Sequence, residues 1–318
     1  METKEIIQTM KKQGYSFIGN HAAVKICLWT KKSLIDSGVC YKEQFYGIKS
    51  HLCCQMTPWL GCENKCIHCW RAVELDFNKI IDKNKIKNPK EIIDECIKAQ
   101  RKLLTGFKGF EKTNMKKYKE AQEPMQFAIS LSGEPTMYED IGEIIEELRK
   151  RGKTSFLVTN GLYPEKLKEL AKKNQLPTQL YISVNAPNEE LYEKIHRSSK
   201  KDAWKRLNES LELMEKLSGK RTVFRINLIK DYNMVFPEKY AEMIKKANPM
   251  FVELKAFMSV GFARERIPYE KMPFHEDIAD FSKKILKFLP EYKHLDEKKE
   301  SRVVLLGKDK RDMKIKEI

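Results

Sequence analysis

The stretch Trp59-Leu60-Gly61-Cys62-Glu63-Asn64-Lys65-Cys66-Ile67-His68-Cys69-Trp70 decides how the rest of the chain is read. Its cysteines stand at a C-x3-C-x2-C spacing, which lets one short loop wrap a cubane iron-sulfur cluster and give thiolates to three of its irons. The remaining iron has no protein ligand and is open to chemistry. Electron-transfer clusters usually fill that corner with a fourth Cys, and a structural zinc site also wants four ligands. A zinc knuckle completed by His68 is the competing account of the same residues.

Upstream, Cys27, Cys40 and Cys53 follow one another at intervals of 13 residues. Three soft ligands on separate segments suit a second cluster, again with one open iron. Buried structural thiols are the plain alternative, since free Cys is among the most buried residue types. Cys54 adjoins Cys53, and a strand cannot aim two neighbouring side chains at one face, so only one of them can join such a site. Around these cysteines, residues 5–13 pattern as a short helix and 22–29 as a strand.

Downstream, charged residues interrupt the apolar pattern over 74–88, which reads as a loop over a site mouth or a solvated turn. Pro89 then opens a helix whose apolar stripe carries Ile92, Ile93, Cys96 and Ile97. The basic segment 107–119 follows, as an RNA contact or a solvated linker. Next come short apolar runs at 126–131, 155–159, 179–184, 222–228 and 251–256, separated by amphipathic stretches at 140–151, 165–173, 203–217 and 238–246. With a first strand before Cys62, this alternation predicts an α/β fold: a partial (β/α)6 TIM-like barrel of parallel strands joined by right-handed crossovers. The expected organisation is an N-terminal extension at 1–53, the barrel at 54–289 and a C-terminal basic extension at 290–318.

In such a barrel, the site collects where strands end at their carboxyl side. Ser132-Gly133-Glu134 follows the run at 126–131, and Asn160 follows the next. Ser183 and Asn185 share a face, as do Arg225 with Asn227 and Glu253 with Lys255. Polar groups inside a barrel must be paired, so these are ligand contacts or a self-satisfied ion network. The loop 259–273 falls on the same side; there Arg264 and Arg266 are expected to clamp phosphate, and Phe262 or Tyr269 to stack on a base. A closing helix over 276–289 leads into a tail with Lys308, Lys310 and Arg311 that touches RNA or is solvated.

Composition agrees with a polyanionic partner: 61 Lys plus Arg against 45 Asp plus Glu give a net charge of +16 over 318 residues. No apolar run reaches membrane-span length, and the start METKEIIQTMKKQGY lacks the apolar core of a signal peptide, so a cytoplasmic protein is expected. In a reducing compartment, 8 Cys point to metal ligation before disulfides.

The C-x3-C-x2-C loop resembles that of the radical S-adenosylmethionine (SAM) superfamily. The tripeptide Cys40-Tyr41-Lys42, the run CCQMTPWLGCENKCIHCWRA at 53–72 and the loop 259–273 resemble the 4-demethylwyosine synthases of the tRNA wybutosine pathway. That resemblance implies two [4Fe-4S] clusters: one on Cys62, Cys66 and Cys69 that binds SAM, and one on Cys27, Cys40 and Cys53, with Cys53 preferred to Cys54 on the family pattern. It implies that His68 replaces an aromatic residue lying against adenine. Ser132-Gly133-Glu134 stands for a G-G-E motif that receives the SAM amino group, and Ser183 and Asn185 for contacts to its ribose and carboxylate. One-electron cleavage of SAM would then yield a 5′-deoxyadenosyl radical in a site shielded from water. The implied reaction joins N1-methylguanosine, beside the anticodon of phenylalanine tRNA, to pyruvate held either by a Lys42 Schiff base or by the second cluster. A monomer using an external one-electron donor is the expectation, because no flavodoxin-like stretch is present. The alternatives are a two-cluster tRNA methylthiotransferase, a zinc-containing RNA-binding module, and a radical SAM enzyme acting on a protein or small molecule.

Overall fold

The computed structural model describes residues 3–217 and 219–316, so the first two and last two residues of the expected extensions lie outside it. Its strands are β1 (Ser16–Ile18), β2 (Ala22–Lys25), β3 (Cys53–Thr57), β4 (Gln126–Ile129), β5 (Thr154–Thr159), β6 (Gln179–Ser183), β7 (Thr222–Leu228), β8 (Phe251–Ala256), β9 (Lys293–Lys298) and β10 (Val303–Gly307). They form one open sheet in the order β1-β2-β3-β4-β5-β6-β7-β8-β10-β9. From β3 to β8 every neighbouring pair is parallel, which makes the partial barrel of six strands expected from the alternation. The two ends are antiparallel: β2 and β1 extend the β3 edge, and β10 and β9 extend the β8 edge.

The crossovers are helices for ordinary reasons. Pro89–Leu104 begins with Asn88 accepting from the Glu91 N–H at 3.0 Å and with Pro in its first turn, where a missing N–H costs nothing. Its Ile92, Ile93, Cys96 and Ile97 face the core, as do Ile141, Ile144, Ile145 and Leu148 of Ile141–Lys150.

Alternation along the strands divides two environments. Phe224, Ile226 and Leu228 of β7 pack beneath the helices, while Val223, Arg225 and Asn227 face the barrel interior. Register puts Ser183 beside Arg225, Arg225 beside Glu253 and Asn227 beside Lys255, so polar groups from three strands meet inside the barrel. At the amino ends of the strands the interior is plugged by aromatic residues: Tyr41, Phe45 and Tyr46 of the helix Tyr41–Tyr46 pack with Phe156, Tyr181 and Phe251.

In the expected C-terminal extension Lys308, Lys310 and Arg311 are exposed, but the residues before them are built into the sheet. Val303, Val304, Leu305 and Leu306 are buried, and β10 is paired on both sides. The short helices Leu28–Leu34 and Tyr41–Tyr46, and Glu189–His196, also went unanticipated.

Candidate active site

Backbone contacts from three directions hold the cysteine loop that follows β3. The carboxyl end of Glu189–His196 has carbonyls without intrahelical partners. Two of these accept from the loop: Ile195 from the Ile67 N–H and His196 from the Lys65 N–H, both at 2.9 Å. From the loop after the neighbouring strand β4, the Glu134 N–H donates to Gly61 O at 2.7 Å. That approach needs glycine at position 133, where φ is +70° and a Cβ would lie 2.0 Å from Trp59 O. From the loop after β8, Arg266 donates to the carbonyls of Ile67 at 3.1 Å, of Arg71 at 3.2 Å and of Cys69.

The loop opens on a cavity of about 310 Å³ at the carboxyl ends of the strands. Cys62, Cys66, Cys69 and His68 line one wall; Ser132, Gly133, Glu134, Asn160, Ser183, Asn185, Arg225 and Lys255 line the others. Glu134 is buried, and its carboxylate accepts from the Thr136 N–H at 3.1 Å, the Thr136 hydroxyl at 2.6 Å, the Thr159 hydroxyl at 2.7 Å and the Asn160 N–H at 2.8 Å. Three of those bonds fall on Oε1 and one on Oε2, so Oε2 keeps an acceptor site. Asn160 Nδ2 in turn reaches Cys62 Sγ at 3.7 Å. His68 is held neutral, its pKa pulled down to about 3 by burial and by His196 beside it. Burial pulls the Lys255 ammonium down to about 8, and it donates to Ser301 O at 2.8 Å.

Several lining residues carried no sequence signal of their own. Asn64 and Arg71 sat inside the cysteine motif, and His196 lies on a helix that was not expected. Buried Arg71 donates to Asn64 O and places its cation beside Cys62, Cys69 and Cys66.

Cys27 and Cys40 stand at the amino ends of two short helices, where their Sγ atoms accept from the Thr30 and Lys42 N–H groups, each at 3.4 Å. Burial pushes the Cys40 thiol up to about 12, with Cys27 adding to it, and Cys53 is raised by burial, Cys27 and Cys40. Cys54 points the other way, into the apolar core beside Cys96. Lys42 is buried among these thiols with its ammonium 4.7 Å from the Phe156 ring centre and 4.6 Å from that of Tyr181. Burial, the largest influence, lowers its pKa.

Both cysteine sets suit clusters chemically. Thiols as desolvated as Cys62, which burial pushes up to about 12, keep their protons unless a metal takes up the charge. Among the described residues no three His, Cys, Asp or Glu converge on a single metal-ion position, as a zinc knuckle with His68 requires. A cubane spreads its thiolates over separate irons.

Two expectations for the loop after β8 need correction. Phe262 does not present a stacking face: it is 5% exposed, packs in the main core and donates its N–H to Trp70 O at 3.0 Å. Arg266 is no free phosphate clamp, because its guanidinium is taken by the cysteine-loop carbonyls and by Glu74 at 2.8 Å. Arg264 is exposed with its Nε on Ser259 O at 2.9 Å, and Tyr269 is 69% exposed.

Residues 56–244 match the radical SAM superfamily, and residues 246–308 match a family described as wyosine base formation. The S-adenosyl-L-methionine-dependent tRNA 4-demethylwyosine synthase of Pyrococcus abyssi is 48% identical over 307 residues, covering 96% of this chain and 89% of that one. This chain belongs to the radical SAM tRNA 4-demethylwyosine synthases. The synthase of Methanocaldococcus jannaschii is 38% identical over 321 residues, covering 98% of both chains. A solved structure described as TYW1 with a lysine-pyruvate adduct bound superposes with a TM-score of 0.84 at 34% identity, over 99% of this chain and 98% of that one. The synthase is therefore an enzyme that uses SAM and a [4Fe-4S] cluster in tRNA wyosine synthesis. No helix among its described residues is long and apolar enough to cross a membrane.

Proposed function

We propose that this synthase condenses N1-methylguanosine, beside the anticodon of phenylalanine tRNA, with pyruvate to give 4-demethylwyosine. Cys62, Cys66 and Cys69 hold the family's SAM cluster, and Cys27, Cys40 and Cys53 hold a second [4Fe-4S] cluster at the opposite end of the barrel interior. What the SAM cluster supplies, once loaded, is hydrogen abstraction from the N-methyl carbon. The methionyl amino group of SAM meets the carbonyl edge of Ser132-Gly133-Glu134 and the acceptor site left on Glu134 Oε2, while the bonds from Thr136, Thr159 and Asn160 fix that carboxylate and turn. Ser183 and Asn185 face the ribose and carboxylate across the cavity. The enzyme acts as a cytoplasmic monomer that draws one electron from an external donor.

The observation that carries this reading is Lys42. A Schiff base needs a neutral amine, and Lys42 is a buried lysine lying over two aromatic rings, where burial outweighs the opposing pull of the Glu253 carboxylate and lowers its pKa. Its Nζ attacks the ketone carbon of pyruvate, water leaves, and the imine holds the two carbons destined for the new ring. The relative described with a lysine-pyruvate adduct supports that route over chelation of the keto acid by the second cluster. Arg225 and Lys255 line the cavity of the Cys62 loop and also act electrostatically, Arg225 on Lys42 and Lys255 on Cys40, so they are the cations a keto-acid carboxylate on Lys42 would meet.

Borohydride reduction in the presence of pyruvate tests the assignment. The expected result is reduced pyruvate on the Lys42 peptide, with neither adduct nor tricyclic product from Lys42→Ala or Lys42→Arg. Full product formation by Lys42→Arg would remove the Schiff base and leave chelation. Iron analysis after anaerobic reconstitution is expected to give about eight irons, falling to about four in Cys62→Ala and in Cys27→Ala.

A further inference from the structure

Glu253 is a buried carboxylate in the middle of β8, with none of its surface exposed. Its two oxygens accept from two phenols of one short helix: Oε2 from the Tyr41 hydroxyl at 3.1 Å and Oε1 from the Tyr46 hydroxyl at 2.6 Å. Those tyrosines are the first and last residues of the helix Tyr41–Tyr46, and Lys42 stands between them. The helix begins at Cys40, whose Sγ accepts from the Lys42 N–H, and it ends at Gly47. One carboxylate therefore holds both ends of the segment that carries Lys42, across 212 and 207 residues of sequence.

Packing alone does not call for that carboxylate. The two tyrosines belong to the cluster of Phe45, Phe156, Tyr181 and Phe251 that plugs the amino ends of the strands. Among the described residues the hydrogen bonds of the Glu253 side chain are those two, and no cation lies within ion-pair distance of it. A buried charge in such a place costs stability, and apolar residues of similar volume often serve as well or better. Hydrophobic contact is also non-directional, whereas two bonds at the two ends of a helix fix how far it turns about its axis. That rotation sets where Lys42 points, and its Nζ lies 4.7 Å from the Phe156 ring centre and 4.6 Å from that of Tyr181. We propose that Glu253 is a positioning residue for Lys42: through Tyr41 and Tyr46 it sets the rotation of their helix and holds the Lys42 amine at one place over the Phe156 and Tyr181 rings, where pyruvate meets it. The inference rests on the proposed Lys42 Schiff base and adds the residues that aim the amine.

The rate of borohydride trapping of pyruvate on Lys42 at saturating pyruvate, read beside iron content, SAM affinity and melting temperature of the reconstituted enzyme, tests the anchor. The triple variant Tyr41→Phe/Tyr46→Phe/Glu253→Leu removes donors and acceptor together, so no buried group is left unpaired and stability should stay near that of wild type. Its trapping should nevertheless slow by about tenfold or more, the consequence of a reacting group held out of place, while SAM affinity is unchanged. Tyr46→Phe, which leaves Glu253 one donor, should slow trapping by about threefold, the worth of one neutral hydrogen bond. Tyr292→Phe is the control: it removes another buried phenol bond, to Pro249 O at 2.7 Å, and should lower the melting temperature without slowing trapping. Wild-type trapping in the triple variant would overturn the inference. A loss of SAM affinity parallel to the loss of trapping would do the same, since it marks a general loosening of the fold. Should the triple variant load only about four irons, Tyr46→Phe decides, unchanged trapping counting against the anchor. Absence of any adduct on iron-replete wild type is a separate outcome, and it removes the Lys42 assignment itself.

Discussion

At the scale of single residues, Arg266 shows what a motif leaves out. Two arginines in a glycine- and proline-containing loop read as phosphate ligands, because guanidinium suits phosphate and the targets of these side chains lie far away in sequence. Arg266 instead reaches 199 residues back to Ile67 O and braces the cysteine loop. Removing it leaves carbonyls of Ile67, Cys69 and Arg71 short of a donor in a half-buried setting, so Arg266→Ala should lose about 2 kcal/mol of stability. Arg266→Lys should recover only part of that, since one ammonium cannot reach three carbonyls and Glu74 together. Thermal unfolding of the metal-free protein reads both variants without involving catalysis; an unchanged melting temperature for Arg266→Ala would deny the brace. Other residues were readable where type and spacing carried the chemistry. The cysteines of the C-x3-C-x2-C loop and Ser132-Gly133-Glu134 come together around one cavity from distant segments. Cys53 and Cys54 could not be told apart by spacing, and the strand parts them: one lies among the thiols, the other in the core.

At the scale of elements, the five apolar runs from 126 to 256 became β4 to β8 with ends shifted by no more than two residues, because buried parallel strands are written as continuous apolar stretches. β9 was illegible for the opposite reason: Lys-His-Leu-Asp-Glu-Lys is an edge strand with a mostly polar outline, and its charges suggested solvent. The helix Glu189–His196 was also missed, yet it anchors the cysteine loop through its last carbonyls. Its terminal His196 is buried, and burial pulls its pKa from 6.5 down to about 4. Below pH 6.5 the unfolded chain takes up a proton that the folded one refuses, so stability falls as pH drops from about 6.5 toward 4 and is flat above. The full contribution is about 3 kcal/mol. Chemical denaturation across that window should show a shallower acid loss for His196→Gln than for wild type, and equal slopes would mean that His196 titrates alike in the folded and unfolded chain. Gly133→Ala tests the neighbouring turn. A Cβ there meets backbone at 2.0 Å in a left-handed conformation, so a loss of at least about 2 kcal/mol is expected, whereas Gly109→Ala, with open space around it, should change stability little.

At the scale of the whole molecule, the two ends of the barrel have different surroundings, and this bears on where a polyanion lands. The basic segment 107–119 was open to reading as RNA contact or linker. It lies between the end of Pro89–Leu104 and the start of β4, and therefore at the amino ends of the strands. Asn114 N–H donates there to Leu34 O at 2.8 Å, His51 meets Glu120 at 2.7 Å, and Met125 N–H donates to Leu52 O at 3.0 Å, all next to the start of β3. The cavity opens at the other end, with exposed Arg197 after Glu189–His196, and exposed Arg264 and Tyr269 after β8. A net charge of +16 makes tRNA affinity fall with salt wherever the contacts are, so salt dependence alone does not locate them. Charge reversal does. The double variant Arg197→Glu/Arg264→Glu should weaken tRNA binding by at least tenfold at moderate salt and flatten the dependence of log Kd on log salt, because phosphate contacts are lost. Lys112→Glu/Lys116→Glu changes the net charge equally and should stay within about threefold of wild type, a residual long-range effect that added salt screens. Filter binding of tRNA over a salt series measures both. Equal losses in the two variants would mean that the bulk charge of the molecule binds the RNA; a larger loss in the lysine variant would put the RNA across the amino ends of the strands and require the base to reach the cavity from that side.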